Sequence, residues 1–254
     1  MKLQRRWFVC LVALCLVATT GTLWAADEIK IGACQPITGR FAFAGKHINE
    51  GLMDAIGYAN EQGGVAGTKF TYIYQDTGYD LKRAIATFKQ IMAQDNPVMM
   101  YGESTGQGKA LAPEINDRYH VVYGSTSFSE ELSDREKNPY IFVSGPTYAQ
   151  QFGVLLKYIA DHPKKKGVKP RVAFFYSDTE FGRDPIAYAR KKAKELGVDV
   201  VAEEVTKVGA VDVTSQLLDL KRNKPDFCIF QGYVVSPIPA VITGAKDFGL
   251  DITF

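Results

Sequence analysis

The feature that most constrains the fold is a regular alternation of short apolar segments with longer segments of helical periodicity. Residues 28–33 alternate as a strand does, and residues 46–62 place apolar side chains on one helical face. The same pairing recurs from residue 70 to residue 123 and again from residue 171 to residue 254. Because such alternation favours parallel sheets with right-handed crossovers, we predict an α/β fold.

The alternation falls into two blocks, and Gly145-Pro146 is the best candidate for the passage between them. We therefore predict two Rossmann-like lobes with parallel sheets, the first at 27–144 and the second at 145–254. Residues 252–254 resemble a strand that has only begun, so we expect the second lobe to be C-terminally incomplete.

The first 26 residues have the anatomy of a signal peptide. Lys2, Arg5 and Arg6 form a basic start, residues 7–18 are apolar, and residues 23–26 offer small side chains for cleavage. The apolar segment is too short to span a bilayer comfortably, so we expect cleavage and a periplasmic protein rather than a membrane anchor.

The charge balance excludes a nucleic-acid-binding role. Loss of Lys2, Arg5 and Arg6 with the signal peptide leaves 27 basic against 28 acidic residues, which is no basic surface for phosphates. His47, His120 and His162 are scattered, and no cysteine pair has zinc spacing, so we predict neither a metal nor a cofactor. Cys34 and Cys228 are expected as buried thiols, with one disulfide as the alternative.

Two hydroxyl-rich corners follow neighbouring apolar strands. Ser104 and Thr105 come after the strand at 98–101, where a helix begins, and Ser125, Thr126 and Ser127 come after the next strand. Unpaired N–H groups and the helix dipole favour an anion at such a place. Since the carboxyl ends of parallel strands share one edge of a sheet, we predict that the two corners together hold a carboxylate, or a carboxylate and an amine.

The first corner also supports a competing interpretation. Gly102-Glu-Ser-Thr-Gly106 matches the G-x-S-x-G nucleophile elbow, so Ser104 would be the nucleophile of a secreted serine hydrolase. That mechanism needs an acid and then a histidine downstream. His120 lies too close in sequence, and His162 lies in a polar loop beside Pro163. We therefore favour a non-enzymatic binding role, because a serine without a general base is a weak nucleophile.

Several short segments, taken together and in order, resemble the leucine/isoleucine/valine-binding type of periplasmic solute-binding proteins of ABC transporters. They are Ile29-Lys-Ile-Gly32, Pro36-Ile-Thr-Gly39, Asn60 to Gly67, Gln75-Asp76, Gly102 with Ser104, Ala110-Leu-Ala-Pro113, Ser125 to Phe128, Asn138-Pro-Tyr-Ile-Phe142 and Phe181-Gly182. The resemblance implies a type I, Venus-flytrap architecture that closes over a small ligand and delivers it to a membrane permease.

The resemblance also implies roles for individual residues. Ser104 and the 125–127 corner, with Phe128 adjoining, match the positions that bind a ligand's α-carboxylate and amine. Phe181 and Tyr233 match aromatic covers from the second lobe. Phe43 is among the nearest counterparts of an aromatic in the family's first loop, although its spacing is offset.

The residue that anchors an amine in the family falls after Phe254, so amine recognition stays open at this point. We expect a monomer that binds an amino acid of branched-chain type or a related aliphatic or aromatic acid. The remaining alternative is an extracytoplasmic sensor domain with the same fold and a different partner.

Overall fold

The structure is a computed structural model, and it describes residues 28–254. The predicted signal peptide lies outside these residues. The first half of the described chain contains β1 (Ile29–Gln35), α1 (Ala42–Glu61), β2 (Phe70–Asp76), α2 (Leu81–Asp95), β3 (Met99–Tyr101), α3 (Thr105–Pro113), β4 (Val122–Ser125), α4 (Glu130–Ser133) and β5 (Ile141–Val143). The second half contains α5 (Tyr148–Asp161), β6 (Arg171–Ser177), α6 (Glu180–Arg183), α7 (Ile186–Glu195), β7 (Asp199–Thr206), α8 (Thr214–Asn223), β8 (Phe227–Gln231) and α9 (Ile238–Asp247).

The first half forms a five-stranded parallel sheet in the order β2-β1-β3-β4-β5. Its core packs Phe88 and Ile91 of α2 against Met100 and Tyr123, the last of which lies on β4. The order places the carboxyl ends of β1, β3 and β4 side by side. Loops that are far apart in sequence therefore meet at one edge of this sheet.

The second half forms a three-stranded parallel sheet in the order β7-β6-β8. Successive residues of β6 face opposite sides, so Phe174 packs with α5 and α7 while Phe175 packs with α8 and α9. Thr253 pairs in parallel with Phe227 through a single bridge, where the sequence predicts the start of another strand. The predicted α/β fold with parallel sheets is confirmed.

Each hydrophobic cluster of the described residues packs against only one of the two sheets. One cluster joins α2, α3, β3 and β4, and two others cover the two faces of β6. The chain passes from the first sheet to the second between β5 and α5, where Thr147 caps α5 with a capping box. We use "first lobe" and "second lobe" for these two halves, and the division at 144/145 stays a proposal.

Local features of the sequence set the bounds of three helical segments. α1 begins at Ala42 rather than at residue 46, directly after a short 3₁₀ turn. After Pro113, which has no N–H to continue the helical ladder, residues Glu114–Tyr119 wind as a π-helix. Pro185 lies between α6 and α7 and separates them.

Two further properties belong to the described part of the chain. Cys34 and Cys228 are both buried, and neither forms a disulfide with another described residue. Within residues 28–254, no helix has both the length and the apolar character that crossing a membrane requires.

Candidate functional site

A cavity of about 270 Å³ lies between the two lobes, at the carboxyl ends of their strands. Its lining contains Gln35, Pro36, Phe41, Phe43, Gly45, Ile48, Tyr79, Glu103, Ser104, Thr105, Thr126, Tyr148, Phe181, Gly232, Tyr233 and Val234. The first lobe supplies most of the polar groups, and the second lobe supplies aromatic rings. This is the position at which open α/β sheets bind ligands.

The order of the first sheet explains how its polar groups meet. Gln35 ends β1, Ser104 and Thr105 follow β3, and Thr126 follows β4. The strands β1, β3 and β4 are consecutive neighbours in the sheet. Residues 35, 104 and 126 therefore reach the same cavity although about 70 and 20 positions separate them in sequence.

Two of these side chains have buried polar atoms without a partner. Both the nitrogen and the oxygen of the Gln35 amide, and the hydroxyl of Thr126, form no hydrogen bond with any described residue. Gln35 is completely buried. Because buried polar groups in folded proteins nearly always have a partner, these unpaired groups beside the cavity are the ones that a polar ligand could satisfy.

The predicted anion corner is present at the start of α3. Ser104 is the N-cap, and its hydroxyl accepts a hydrogen bond of 3.2 Å from the N–H of Gln107. The N–H groups of Thr105 and Gly106 begin the helix and have no partner among the described residues. Thr105 lines the cavity, so unpaired N–H donors and the positive end of the helix dipole adjoin it.

Three predicted site residues support the wall instead of lining the cavity. The Ser127 hydroxyl lies 2.8 Å from the Thr105 hydroxyl, and the Ser125 hydroxyl accepts from the N–H of Ser127 at 3.1 Å. Phe128 packs edge-on against Tyr148, with ring centroids 5.8 Å apart. The two hydroxyl corners are thus in contact, but only Thr126 of the second corner reaches the cavity.

Glu103 is a functional candidate that sequence reasoning missed, because it occupies a variable position inside the G-x-S-x-G pattern. It is only 8% exposed, and one carboxylate oxygen accepts a hydrogen bond from the Thr77 hydroxyl. Burial raises the pKa of Glu103 to about 7, against the opposing effect of that hydrogen bond and with help from Asp76 and Asp80. Glu103 is also the only charged side chain among the described residues that line the cavity.

Aromatic rings from both lobes form the rest of the cavity wall. Phe41 stacks on Tyr79, with centroids 4.0 Å apart and planes at 13°, and meets Tyr233 edge-on at 4.9 Å. Tyr233 in turn packs against Phe181 at 5.3 Å, and Phe181 against Tyr148 at 5.2 Å. The predicted covers Phe181 and Tyr233 therefore lie over the strand ends of the first lobe.

The outer part of this wall includes the third predicted aromatic and a strained tyrosine. Phe43 lies next to Phe41 at 5.4 Å and is 43% exposed, so it lies at the rim. Tyr79 has φ of +64°, in the left-handed region that non-glycine residues rarely adopt. The sequence signal for Tyr79 was its place in the loop that follows β2.

A second cavity of about 450 Å³ adjoins the first and shares Tyr79, Glu103 and Tyr233 with it. Arg40 lines this second cavity and donates a hydrogen bond of 3.1 Å to the carbonyl of Val208 in the second lobe. The hydroxyls of Tyr79 and Tyr233 also meet across the cleft at 3.3 Å. The two lobes are therefore in direct contact around the site.

The described residues give no support to metal or nucleophilic chemistry at this cleft. Among residues 28–254, no group of three or more His, Cys, Asp or Glu side chains is arranged to hold a metal ion. No histidine lines either cavity beside Ser104 within the described chain. Ser104 has the geometry of a helix cap, and its neighbours are hydrogen-bond donors and aromatic rings.

Comparison with known proteins agrees with this geometry. A family model described as periplasmic binding protein matches residues 28–254, which is all of the described chain. The chain belongs to the periplasmic binding protein family. Members of this family bind solutes, so the prediction of a binding protein rather than an enzyme is confirmed, and the serine-hydrolase alternative is not supported.

Individual relatives of this periplasmic binding protein carry names of amino-acid-binding proteins. It is 26% identical over 230 residues to Leu/Ile/Val-binding protein homolog 7 of Brucella suis, covering 88% of this chain and 57% of the relative. It is 26% identical over 231 residues to the leucine-, isoleucine-, valine-, threonine-, and alanine-binding protein of Pseudomonas aeruginosa. That match covers 91% of this chain and 60% of the relative. The chain thus spans less than two thirds of the length of these relatives.

Solved structures show the same fold. A branched-chain amino acid ABC transporter structure from Thermus thermophilus with bound valine has a TM-score of 0.79 and 26% identity, over 89% of this chain and 58% of that chain. A fatty acid ABC transporter substrate-binding protein from Thermomonospora curvata has a TM-score of 0.78 and 22% identity, over 88% of this chain and 56% of that chain. Because these two proteins carry different ligand names, the shared fold alone does not determine the ligand.

Proposed function

We propose that this chain acts as an exported solute-binding protein that captures a small carboxylate-bearing ligand, an amino acid of branched-chain type being the first candidate. The observation that carries the proposal is the cavity between the lobes, which the polar residues Gln35, Ser104 and Thr126 line together with aromatic rings from both lobes. Such a mostly apolar cavity with a few convergent polar groups is characteristic of small-molecule sites.

In this proposal the ligand's carboxylate lies at the start of α3. The unpaired N–H groups of Thr105 and Gly106, together with the hydroxyls of Ser104 and Thr126, are the donors. Each charge-assisted hydrogen bond contributes about 1.5–3 kcal/mol. Ser125, Ser127 and Phe128, which sequence reasoning assigned to direct contact, hold Thr105 and the aromatic wall in place instead.

The apolar part of the ligand lies against the aromatic wall. Phe181 and Tyr233 come from the second lobe and Phe43 from the first, so one ligand contacts both lobes. The names of the Pseudomonas aeruginosa relative and of the Thermus thermophilus structure make leucine, isoleucine and valine the first ligands to test. Aliphatic and aromatic acids without an amine are the second set.

Ligand contacts with both lobes provide the mechanism of closure. A ligand that binds the closed arrangement better than an open one shifts the population towards closure. We propose that the closed, loaded monomer is recognised by the permease of an ABC transporter, after export to the periplasm by the segment at 1–26.

The test is calorimetric titration of the purified full-length protein with branched-chain amino acids and with aliphatic and aromatic acids. At a concentration of 100 times its dissociation constant, a true ligand adds about 2.7 kcal/mol to the free energy of unfolding. Ser104→Gly removes the hydroxyl while keeping an acceptable helix cap, so it should weaken binding and leave the fold intact. Absence of heat and of thermal stabilisation with every carboxylate would refute the proposal.

A further inference from the structure

We propose that Glu103, together with Gln35, binds the ammonium group of the ligand, so that the preferred ligand is a zwitterion. This inference rests on the function proposed above and narrows its ligand class from carboxylates to amino acids. It assigns amine recognition to the first lobe, on the same sheet edge as the proposed carboxylate corner.

Gln35 and Glu103 reach the same cavity from the ends of two neighbouring strands. β1 pairs with β3 in parallel so that Ala33 lies opposite Tyr101. Two residues further along each strand direction come Gln35 and Glu103, which both line the cavity. Thr77 links the two residues, because its N–H donates to the Gln35 carbonyl at 3.0 Å and its hydroxyl donates to the Glu103 carboxylate.

The hydrogen bonds of Glu103 leave one side of its carboxyl group available. One oxygen accepts from the Thr77 hydroxyl, and the backbone N–H donates to the side-chain oxygen of Gln107 at 2.8 Å. The other carboxylate oxygen has no donor among the described residues, and Glu103 forms no ion pair with them. A buried carboxylate without a cation is costly, and a ligand ammonium offsets part of that cost by supplying the opposite charge.

The charge of the cavity favours the same assignment. Glu103 is the only charged lining side chain in the described chain, and Arg40 of the adjoining cavity is engaged with the Val208 carbonyl. A ligand that carried only a carboxylate would bring a second negative charge into a cavity without a basic side chain. A zwitterion supplies its own positive charge to Glu103 and directs its carboxylate to the N–H groups of α3.

Gln35 and the aromatic rings complete the proposed subsite. The Gln35 amide oxygen is a buried acceptor without a partner, and an ammonium group has three N–H donors to offer. Phe41, Tyr79 and Tyr233 lie around the same space, and the faces of aromatic rings attract cations. An ammonium group there would have a carboxylate, an amide oxygen and aromatic rings as neighbours.

The alternative to an ionised Glu103 that binds an ammonium group is a protonated Glu103 that donates to the ligand carboxylate. The number of protons released or taken up on binding distinguishes these two arrangements. Burial raises the pKa of Glu103 to about 7, with Asp76 and Asp80 adding to the rise. Tyr79, Tyr123 and Cys34 also face Glu103, and burial raises the pKa of each of them, so they stay neutral near pH 7. An ammonium ligand therefore releases up to roughly half a proton from Glu103 at pH 7, whereas a contact with neutral Glu103 takes up to roughly half a proton from the buffer.

The experiment compares ligand pairs that differ only in the amine. L-valine is titrated against 3-methylbutanoate, and L-phenylalanine against 3-phenylpropanoate, in two buffers of different ionisation enthalpy at pH 7. We expect the amine-bearing member of at least one pair to bind at least tenfold more tightly, with proton release. In Glu103→Gln the preference should fall to less than threefold, and in Gln35→Leu it should fall partly. The exposed carboxylate variant Glu61→Gln should behave as the wild type.

The outcomes distinguish this inference from the function on which it rests. If the acids without an amine bind as tightly as the amino acids in both the wild type and Glu103→Gln, the inference is wrong and the solute-binding proposal stands. Proton uptake with the amino acids also overturns it. If neither series binds to folded wild-type protein, the proposed function fails as well. If Glu103→Gln does not fold, Glu103→Asp, which retains the charge on a shorter side chain, replaces it and should weaken the amine preference.

Discussion

Lys109 of α3 and Asp184, which lies between α6 and α7, form an ion pair of 2.8 Å across the cleft. The Asp184 side chain is only 4% exposed, and its carboxylate also accepts from the Ser129 hydroxyl at 2.5 Å. Burial by itself lowers the pKa of Lys109, but hydrogen bonds to Asp184 and Glu131 outweigh that effect and raise it. The pair joins the first lobe to the second beside the proposed ligand site.

We predict that Lys109→Met shifts the lobes towards an open arrangement. In the closed arrangement Asp184 would stay buried without its cation, whereas opening lets water reach it. Removing one partner of a buried pair costs up to about 3–5 kcal/mol, and less where water enters. We expect ligand affinity to fall by at least about tenfold, and small-angle scattering to show a larger radius of gyration with ligand present.

Lys89→Met is the matched control for that change. Lys89 pairs with Glu114 within the first lobe, at 2.6 Å and with 46% of its side chain exposed. An exposed pair contributes about 0–1 kcal/mol and does not link the lobes, so affinity should be unchanged. Equal behaviour of the two variants would show that the Lys109–Asp184 pair has no role in closure.

Two glycines of α1 should respond in opposite ways to alanine. A Cβ on Gly45 would lie 2.1 Å from the Pro36 carbonyl oxygen, whereas a Cβ on Gly57 would meet nothing within 4 Å. Gly57→Ala should stabilise the protein by about 0.5–1 kcal/mol, because alanine favours a helix. Gly45→Ala should destabilise it by about 1–3 kcal/mol.

The same pair of variants also tests the cavity wall. Gly45 and Pro36 line the cavity, so displacement of the Pro36 backbone should weaken ligand binding in Gly45→Ala only. Urea unfolding gives the two free energies, and calorimetry gives the two affinities. Stabilisation by Gly45→Ala would mean that the wall is looser than the structure shows.

Glu103 should make the ligand-free protein less stable as the pH rises. Its pKa is raised from an ordinary 4.5 to about 7, so between these values the folded protein holds more protons than the unfolded chain. Stability is then lost as the pH rises from about 4.5 through 7. Glu103→Gln removes this loss, so it should exceed the wild type in free energy of unfolding by about 1–3 kcal/mol at pH 8 and show no such gain at pH 4.

Urea unfolding from pH 4 to pH 8 measures this difference, with the exposed Glu61→Gln as the control. Burial raises the pKa of Glu204 to about 8, with help from Asp219. Glu204 therefore also lowers the free energy of unfolding as the pH rises, and it does so equally in every variant. The comparison between variants therefore isolates Glu103. A difference between Glu103→Gln and the wild type that does not depend on pH would contradict the assignment.

Thr126→Val should separate ligand binding from stability. The Thr126 hydroxyl is buried without a partner, so replacing it with a methyl group should raise the free energy of unfolding of the ligand-free protein by about 1 kcal/mol. If Thr126 donates to the ligand carboxylate, affinity should fall by about tenfold or more in the same variant.

Thr206→Val is the control for this substitution. The Thr206 hydroxyl is also buried and has no partner within residues 28–254, but it lies at the end of β7 and lines neither cavity of the cleft. Thermal unfolding should show a gain in both variants, and calorimetry a loss of affinity in Thr126→Val alone. A loss of affinity in both would point to a change in the fold instead of a lost ligand contact.

Local patterns were sufficient for the fold class and for part of the site. The alternation of strand and helix periodicity depends on neighbouring residues, and Pro113 and Pro185 interrupt helices by a purely local effect. The hydroxyl corner at Ser104 also follows from local chemistry, because an N-cap residue and free N–H groups belong to any helix start. The segments that resemble one family predicted a solute-binding protein, and the family match agrees with them.

The sequence by itself thus determined parallel α/β lobes, a hydroxyl-rich corner at the start of α3 and membership of a binding-protein family. Only the tertiary structure decided which side chains face the cavity. Thr126 lines it, while the hydroxyls of its neighbours Ser125 and Ser127 form hydrogen bonds within the wall, where the chain bends after the end of β4. Gln35 and Glu103 reach the same cavity because β1 and β3 are neighbours in the sheet and Thr77 bonds to both residues, long-range contacts that no local pattern encodes.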